Sequence, residues 1–201
     1  MHISEGVVSP SVLVGGAILA ASGIAIGLKT IKDKDIPKVA VLSSAFFVAS
    51  LIHVPVGPVS AHLVLNGLLG LLLGWASFPS LSIALLLQAI IFQYGGLTTL
   101  GTNTFILAMP SVIVHYCFRG FLGNGIKRVF IAGCLSGILA IFLSILFVSF
   151  ALILTTKAFF GVVVSLVSTH LPLALIEGLI SGFILVYLKK VKPEVLGWKR
   201  V

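Results

Sequence analysis

Long apolar stretches separated by short connections dictate what this chain can become. The stretch 129–154 carries no charged side chain at all. A helix needs about 20 mainly apolar residues to traverse the hydrocarbon of a bilayer. Backbone polar groups survive there only when satisfied internally, in helices or closed barrels. Of the 201 residues, 59% are hydrophobic and 9% charged, with a mean hydropathy of +1.24. No water-soluble globule has that balance. The expected fold is an all-α integral membrane protein, a single membrane-embedded domain over 1–201.

Pro, Gly and Lys punctuation predicts about seven transmembrane helices, over 11–28, 39–54, 59–75, 81–94, 104–118, 129–154 and 171–188. The breaks fall at Lys29–Lys38, at the Pro55–Pro58 turn, at Phe78-Pro79-Ser80, at Gly95–Asn103 and at Arg119–Arg128. Residues 155–170 read either as a surface helix or as a segment dipping into the bilayer. Of the 13 Lys and Arg residues, all but Lys157 lie in 29–38, in 119–128 or in the tail beyond Leu188. Because basic loops stay in the cytoplasm, the N-terminus is expected outside and the C-terminus inside, in a plasma (inner) membrane. The same placement explains the net charge of +8 by lipid headgroups and topology, and argues against a nucleic-acid partner. No basic stretch followed by a short apolar run opens the chain, so no removable signal peptide is expected.

On this map His2, His53, His62 and His170 fall at the outer mouth, and His115 near an inner helix end. The sequence opens Met1-His2-Ile3-Ser4-Glu5-Gly6. A free amine on Met1, the backbone nitrogen of His2 and an imidazole nitrogen can close one five-membered and one six-membered ring on a divalent ion. The amide must lose its proton, which Ni²⁺ and Cu²⁺ can drive, and a square plane of nitrogens is their geometry. His2 is too bulky for ordinary removal of Met1. His53 and His62 flank a rigid Pro-Gly turn; each either caps a helix at headgroup level or turns its ring into a shared cavity. The polar stretch Gly95–Asn103 reads as a lid over a metal or as an ordinary surface loop. Asn103 is a candidate to orient an imidazole. Glu177 lies inside a predicted span, where a carboxylate needs a partner. It fits a hydrogen bond to another span, or a proton relay with His170 seven residues earlier.

Four-residue spacings of small residues, at Ala17/Ala21/Ala25, Ala45/Ala49, Gly133/Gly137 and Gly178/Gly182, permit close helix packing. Cys117 and Cys134 read as packing residues, with no CxxC pair. The segment Gly120–Arg128 fails as a phosphate loop, because no Lys follows the last Gly and no Ser or Thr follows the Lys. There is no HExxH and no grouped triad, so no enzyme is expected.

Met1-His2-Ile3 with Glu5-Gly6, the Pro55…Ser60-Ala61-His62-Leu63 turn, and Phe92–Asn103 together resemble the CbiM/NikM family. These are the substrate-binding S components of energy-coupling-factor (ECF) nickel and cobalt transporters. The resemblance spans the whole chain. It implies a six-helix S-component core preceded by one N-terminal helix. It also implies a metal held by Met1, His2 and His62, with His53 and Asn103 as additional ligands or as side chains that orient one. The implied partners are a transmembrane coupling (T) subunit and two ATPase subunits, and Ala45/Ala49 match the small-residue surface offered to the former. Three positions depart from the family pattern. Ser4 stands where many relatives have Pro, Gln93-Tyr94 replaces a more acidic Gly-Asp pair, and His53 stands where others often carry Asn. The expected function is high-affinity Ni²⁺ binding for uptake, with Co²⁺ next. The alternative is a stand-alone secondary transporter or channel for a divalent metal.

Overall fold

The computed structural model describes residues 2–56, 59–122 and 125–196, with 53–56 and 59–61 described through their backbone alone. Met1, the tip of the Pro55–Pro58 turn, and Lys199 and Arg200 in the tail lie outside the described residues. Among the described residues, seven α-helices and one pair of short strands follow in order: α1 (Pro10–Thr30), α2 (Ile36–Leu51), β1 (His53–Val56), β2 (Val59–His62), α3 (Asn66–Leu73), α4 (Ser77–Phe92), α5 (Leu100–Phe118), α6 (Ile126–Thr155) and α7 (Phe160–Val191). Five stretches of the described residues are long and apolar enough to cross a membrane: Pro10–Thr30, Asn66–Phe92, Leu100–Phe121, Ile126–Thr155 and Lys157–Val191. Polarity is inverted relative to a soluble protein. Val14, Ile18, Phe150, Leu175 and Phe183 face outward, while Ser50, Asn66, Gln88, Asn103, His170 and Glu177 are buried.

Glycine contacts set the closest helix approaches. A Cβ on Gly133 would lie 2.6 Å from the Gly182 Cα, and one on Gly137 would lie 2.8 Å from the Gly178 Cα. The antiparallel α6–α7 pair therefore packs backbone against backbone, as its small-residue spacing predicts. In α1 the packed stripe is Gly16, Ala20, Gly23 and Gly27, set against Thr102, Phe78 and Pro79. Ala17, Ala21 and Ala25 are exposed.

The structure departs from the sequence map in four places. Residues 59–75 do not form a span: an antiparallel hairpin with His53 opposite His62 occupies 53–62, and α3 has only 8 residues, about 12 Å of helix. Pro55 and Pro58 cannot donate to a helix, the residues before them are biased to extended backbone, and the valines around them suit strands. The next break falls at Gly74 (φ 57°, ψ −125°), not at Pro79, which sits in the first turn of α4, where no intrahelical N–H bond is required. Residues 160–170 belong to α7. The hydroxyls of Ser165, Ser168 and Thr169 bond back to carbonyls three and four residues earlier, so a polar-looking stretch stays helical, and Pro172 sits within the helix. Finally, α5 starts at Leu100, which shortens the polar loop to 95–99.

Asn66 fastens the start of α3 to its neighbours. Its Nδ2 donates to the Leu107 carbonyl (3.2 Å) and to Ser144 Oγ (2.9 Å). Ser111 Oγ donates to the Asn66 carbonyl (2.8 Å). These bonds tie α3 to α5 and α6.

Candidate metal centre

The N-terminal arm, residues 2–9, folds across one end of the bundle. Gly6, at φ +76°, turns it, and Ile3 and Val8 anchor it in the hydrophobic core. Asn103, on the first turn of α5, grips the arm's backbone through both polar groups of Ile3. The Ile3 N–H donates to Asn103 Oδ1 (2.9 Å), and Asn103 Nδ2 donates to the Ile3 carbonyl (2.9 Å). Asn103 Nδ2 also donates to Thr99 Oγ1 (3.2 Å). These bonds orient the strand that carries His2. The Glu5 carboxylate accepts from the Thr98 N–H (3.1 Å) and hydroxyl (3.3 Å). The Ser9 N–H donates to Thr155 Oγ1 at the end of α6 (3.1 Å). Gly95 and Gly96 lie directly against the arm: a Cβ on Gly95 would come within 3.7 Å of the His2 Cβ, and one on Gly96 would overlap the Glu5 side chain at 1.9 Å. Both glycines also hold positive φ (+77° and +155°), where side chains are strained.

Held this way, the His2 ring lies against the His62 ring, with centroids 4.8 Å apart and planes 10° from parallel. His62 is 2% exposed. Its Nδ1 donates to the Leu63 carbonyl (3.0 Å). That bond fixes the tautomer and puts the lone pair on Nε2, the form in which a neutral imidazole ligates metals. The stack brings the two rings to one place, and because an imidazole lone pair lies in the ring plane, one ring turns before both nitrogens face a single ion. Among the described residues no three His, Cys, Asp or Glu side chains gather as a metal-binding group.

The other candidates sort by position. Met1 lies outside the described residues. The His53 backbone pairs with His62 across the hairpin, and its side chain falls outside the description. His115 is at the opposite end of α5, its Nδ1 donating to the Gly70 carbonyl (3.0 Å) with Arg119 at 3.3 Å. His170 is fully buried, and its Nδ1 donates to the Leu166 carbonyl within its own helix (2.9 Å). Glu177, also fully buried, reaches out of α7 to backbone rather than to another helix's side chain. It accepts from the N–H of Val64 and from that of Leu65 (2.8 and 3.1 Å). The sequence gives no sign of this contact, because it depends on the left-handed Leu65 (φ 53°) that opens α3.

A polytopic membrane protein with a pinned N-terminal arm and two stacked imidazoles at one end is the class that fold and geometry define. The chain belongs to the CbiM family, described as the cobalt uptake substrate-specific transmembrane region, whose model matches residues 2–195. A Haemophilus influenzae protein named "Putative metal transport protein" is 42% identical over 98% of this chain and 97% of its own. The cobalt transport protein CbiM of Sorangium cellulosum is 29% identical over 98% of this chain and 94% of its own. The crystal structure of a truncated transition metal transporter matches with a TM-score of 0.75 at 26% identity, over 94% of this chain and 99% of that one. The chain is thus a membrane protein of metal uptake, a transporter and not an enzyme.

Proposed function

We propose that this chain captures Ni²⁺, with Co²⁺ as the next-best ion, as the S component of an ECF importer. It acts as one membrane-embedded substrate-binding unit. The observation that carries the reading is the His2–His62 stack at 4.8 Å on an arm whose backbone Asn103 holds through the N–H and carbonyl of Ile3. The described side chains offer two imidazoles there. The Met1 amine and the deprotonated His2 amide supply the other two nitrogens of a square plane, with His62 closing the fourth position. Ions high in the Irving–Williams order drive the amide deprotonation, and planar geometry together with arm closure favours Ni²⁺. Acidification weakens capture, because every donor must shed its proton.

In this reading the 95–99 loop closes over the ion and His53 stands by as an additional donor. The basic loops support an N-terminus outside and a C-terminus in the cytoplasm. A T subunit and ATPase subunits supply the energy, with the small-residue face of α2 at Ala45 and Ala49 meeting the T subunit. The name "Putative fused nickel transport protein NikMN", borne by an Archaeoglobus fulgidus relative 28% identical over 99% of this chain and 69% of its own, supports the nickel assignment. The test is a Ni²⁺ titration of the purified chain and of His2→Ala. Loss of binding in the variant supports the site, and unchanged affinity refutes it. Co-purification with ATPase subunits tests the partnership. Uptake by the lone chain driven by a proton gradient would replace it with a stand-alone carrier.

A further inference from the structure

Glu177 is the largest unexplained cost in this bundle. An uncompensated carboxylate inside a membrane span is expensive and finds a function or a partner. This one is fully buried, and its hydrogen bonds run to two consecutive backbone amides, Val64 and Leu65.

Those amides sit where the chain has left β2 and has not yet entered α3. No strand ladder or helix turn accepts from them there, and the start of a helix favours negative charge. The decisive detail is covalent. The Leu63 carbonyl and the Val64 N–H belong to the same peptide group, which is planar and rigid. The carbonyl side of that group accepts from His62 Nδ1. Its N–H side donates to Glu177. Carboxylate, peptide and imidazole therefore form one hydrogen-bonded series. Each bond polarises the next in a low-dielectric interior. Carboxylate and carbonyl partners on the second ring nitrogen are known to orient metal-ligating histidines and raise their basicity.

We propose that Glu177 is a positioning residue for metal capture. Its carboxylate holds the Leu63–Val64 peptide, and through it sets the tautomer and placement of the His62 ring. The proposal rests on the reading of His62 as a ligand. It links the ion to α7, which packs against α6 through glycines.

The experiment uses the full chain in detergent. Ni²⁺ is titrated into the wild type, His62→Ala, Glu177→Ala, Glu177→Gln and the double variant His62→Ala/Glu177→Ala, and the Ni²⁺ visible spectrum is recorded for each. Glu177→Ala should bind about 10–100-fold more weakly, with a spectrum shifted toward that of His62→Ala. Glu177→Gln, which keeps one acceptor oxygen, should fall between. The double variant should bind no more weakly than His62→Ala alone, which a merely structural role would not produce. Where Glu177→Ala does not fold, Glu177→Gln decides on affinity and spectrum. Wild-type affinity and spectrum in the Glu177 variants, or a fully additive loss in the double variant, overturns the proposal while leaving His62 a ligand. A His62→Ala protein indistinguishable from wild type overturns the ligand reading itself, and the role of Glu177 with it.

Discussion

The α6–α7 pair and the His2–His62 end of the bundle are held by opposite means. In α6–α7, glycines at 133, 137, 178 and 182 let two backbones touch, and packing decides the geometry. At the other region almost nothing is regular. An arm, a short hairpin and a glycine loop are fixed by side chains that bond to backbone: Asn103 to Ile3, Glu5 to Thr98, Glu177 to Val64 and Leu65. Irregular backbone inside a membrane protein must be satisfied by such partners. The scaffold is therefore specified by what it lacks, side-chain bulk, and the site by a few polar groups placed one by one.

The comparison can be broken from either side. The largest effect is expected at His62→Ala, which should weaken Ni²⁺ binding by at least ~100-fold, beyond the loss typical of a ligand's hydrogen-bonding neighbour, with the thermal midpoint of the metal-free protein nearly unchanged. Next comes Gly133→Leu. Its side chain meets α7 backbone at Gly182 that cannot yield, so a stability loss of about 1–3 kcal/mol is expected, read as a lower melting temperature, while the folded fraction binds Ni²⁺ normally. Asn103→Ala removes both bonds to Ile3, worth about 1 kcal/mol each. Ni²⁺ affinity should then fall roughly tenfold, measured by the same titration, with helicity by circular dichroism unchanged. A site variant that unfolds the bundle, or a Gly133 variant that spares stability and loses metal, would erase the distinction.

The two regions also differ in how much of them the sequence reveals. Apolar length marks two spans, and the Gly133/Gly137 and Gly178/Gly182 spacings mark a close-packing face on each, within the bundle or across a subunit interface; the structure pairs the two faces with each other. The membrane class and the pairing of His2 with His62 are legible from composition and from motifs shared with the family. The hairpin at 53–62 is not read as such, although Pro55, Pro58 and the flanking valines argue against a helix there. The breadth of the surrounding apolar run masks them. The role of Asn103 is half visible: it lies at the site, but its partner is the backbone of residue 3 and not an imidazole. The Glu177 contact is invisible, since nothing in sequence spacing tells that Leu65 turns left-handed and aims two amides at α7.

The central claim is that the chain start itself wraps the ion together with His62. It is tested most directly by titrating Ni²⁺ into the protein with its Met1 α-amine acetylated. Acetylation takes the amine's lone pair out of the chelate and changes no side chain. The account predicts that binding collapses although the bundle remains folded. Retention of wild-type affinity with the blocked terminus would contradict it.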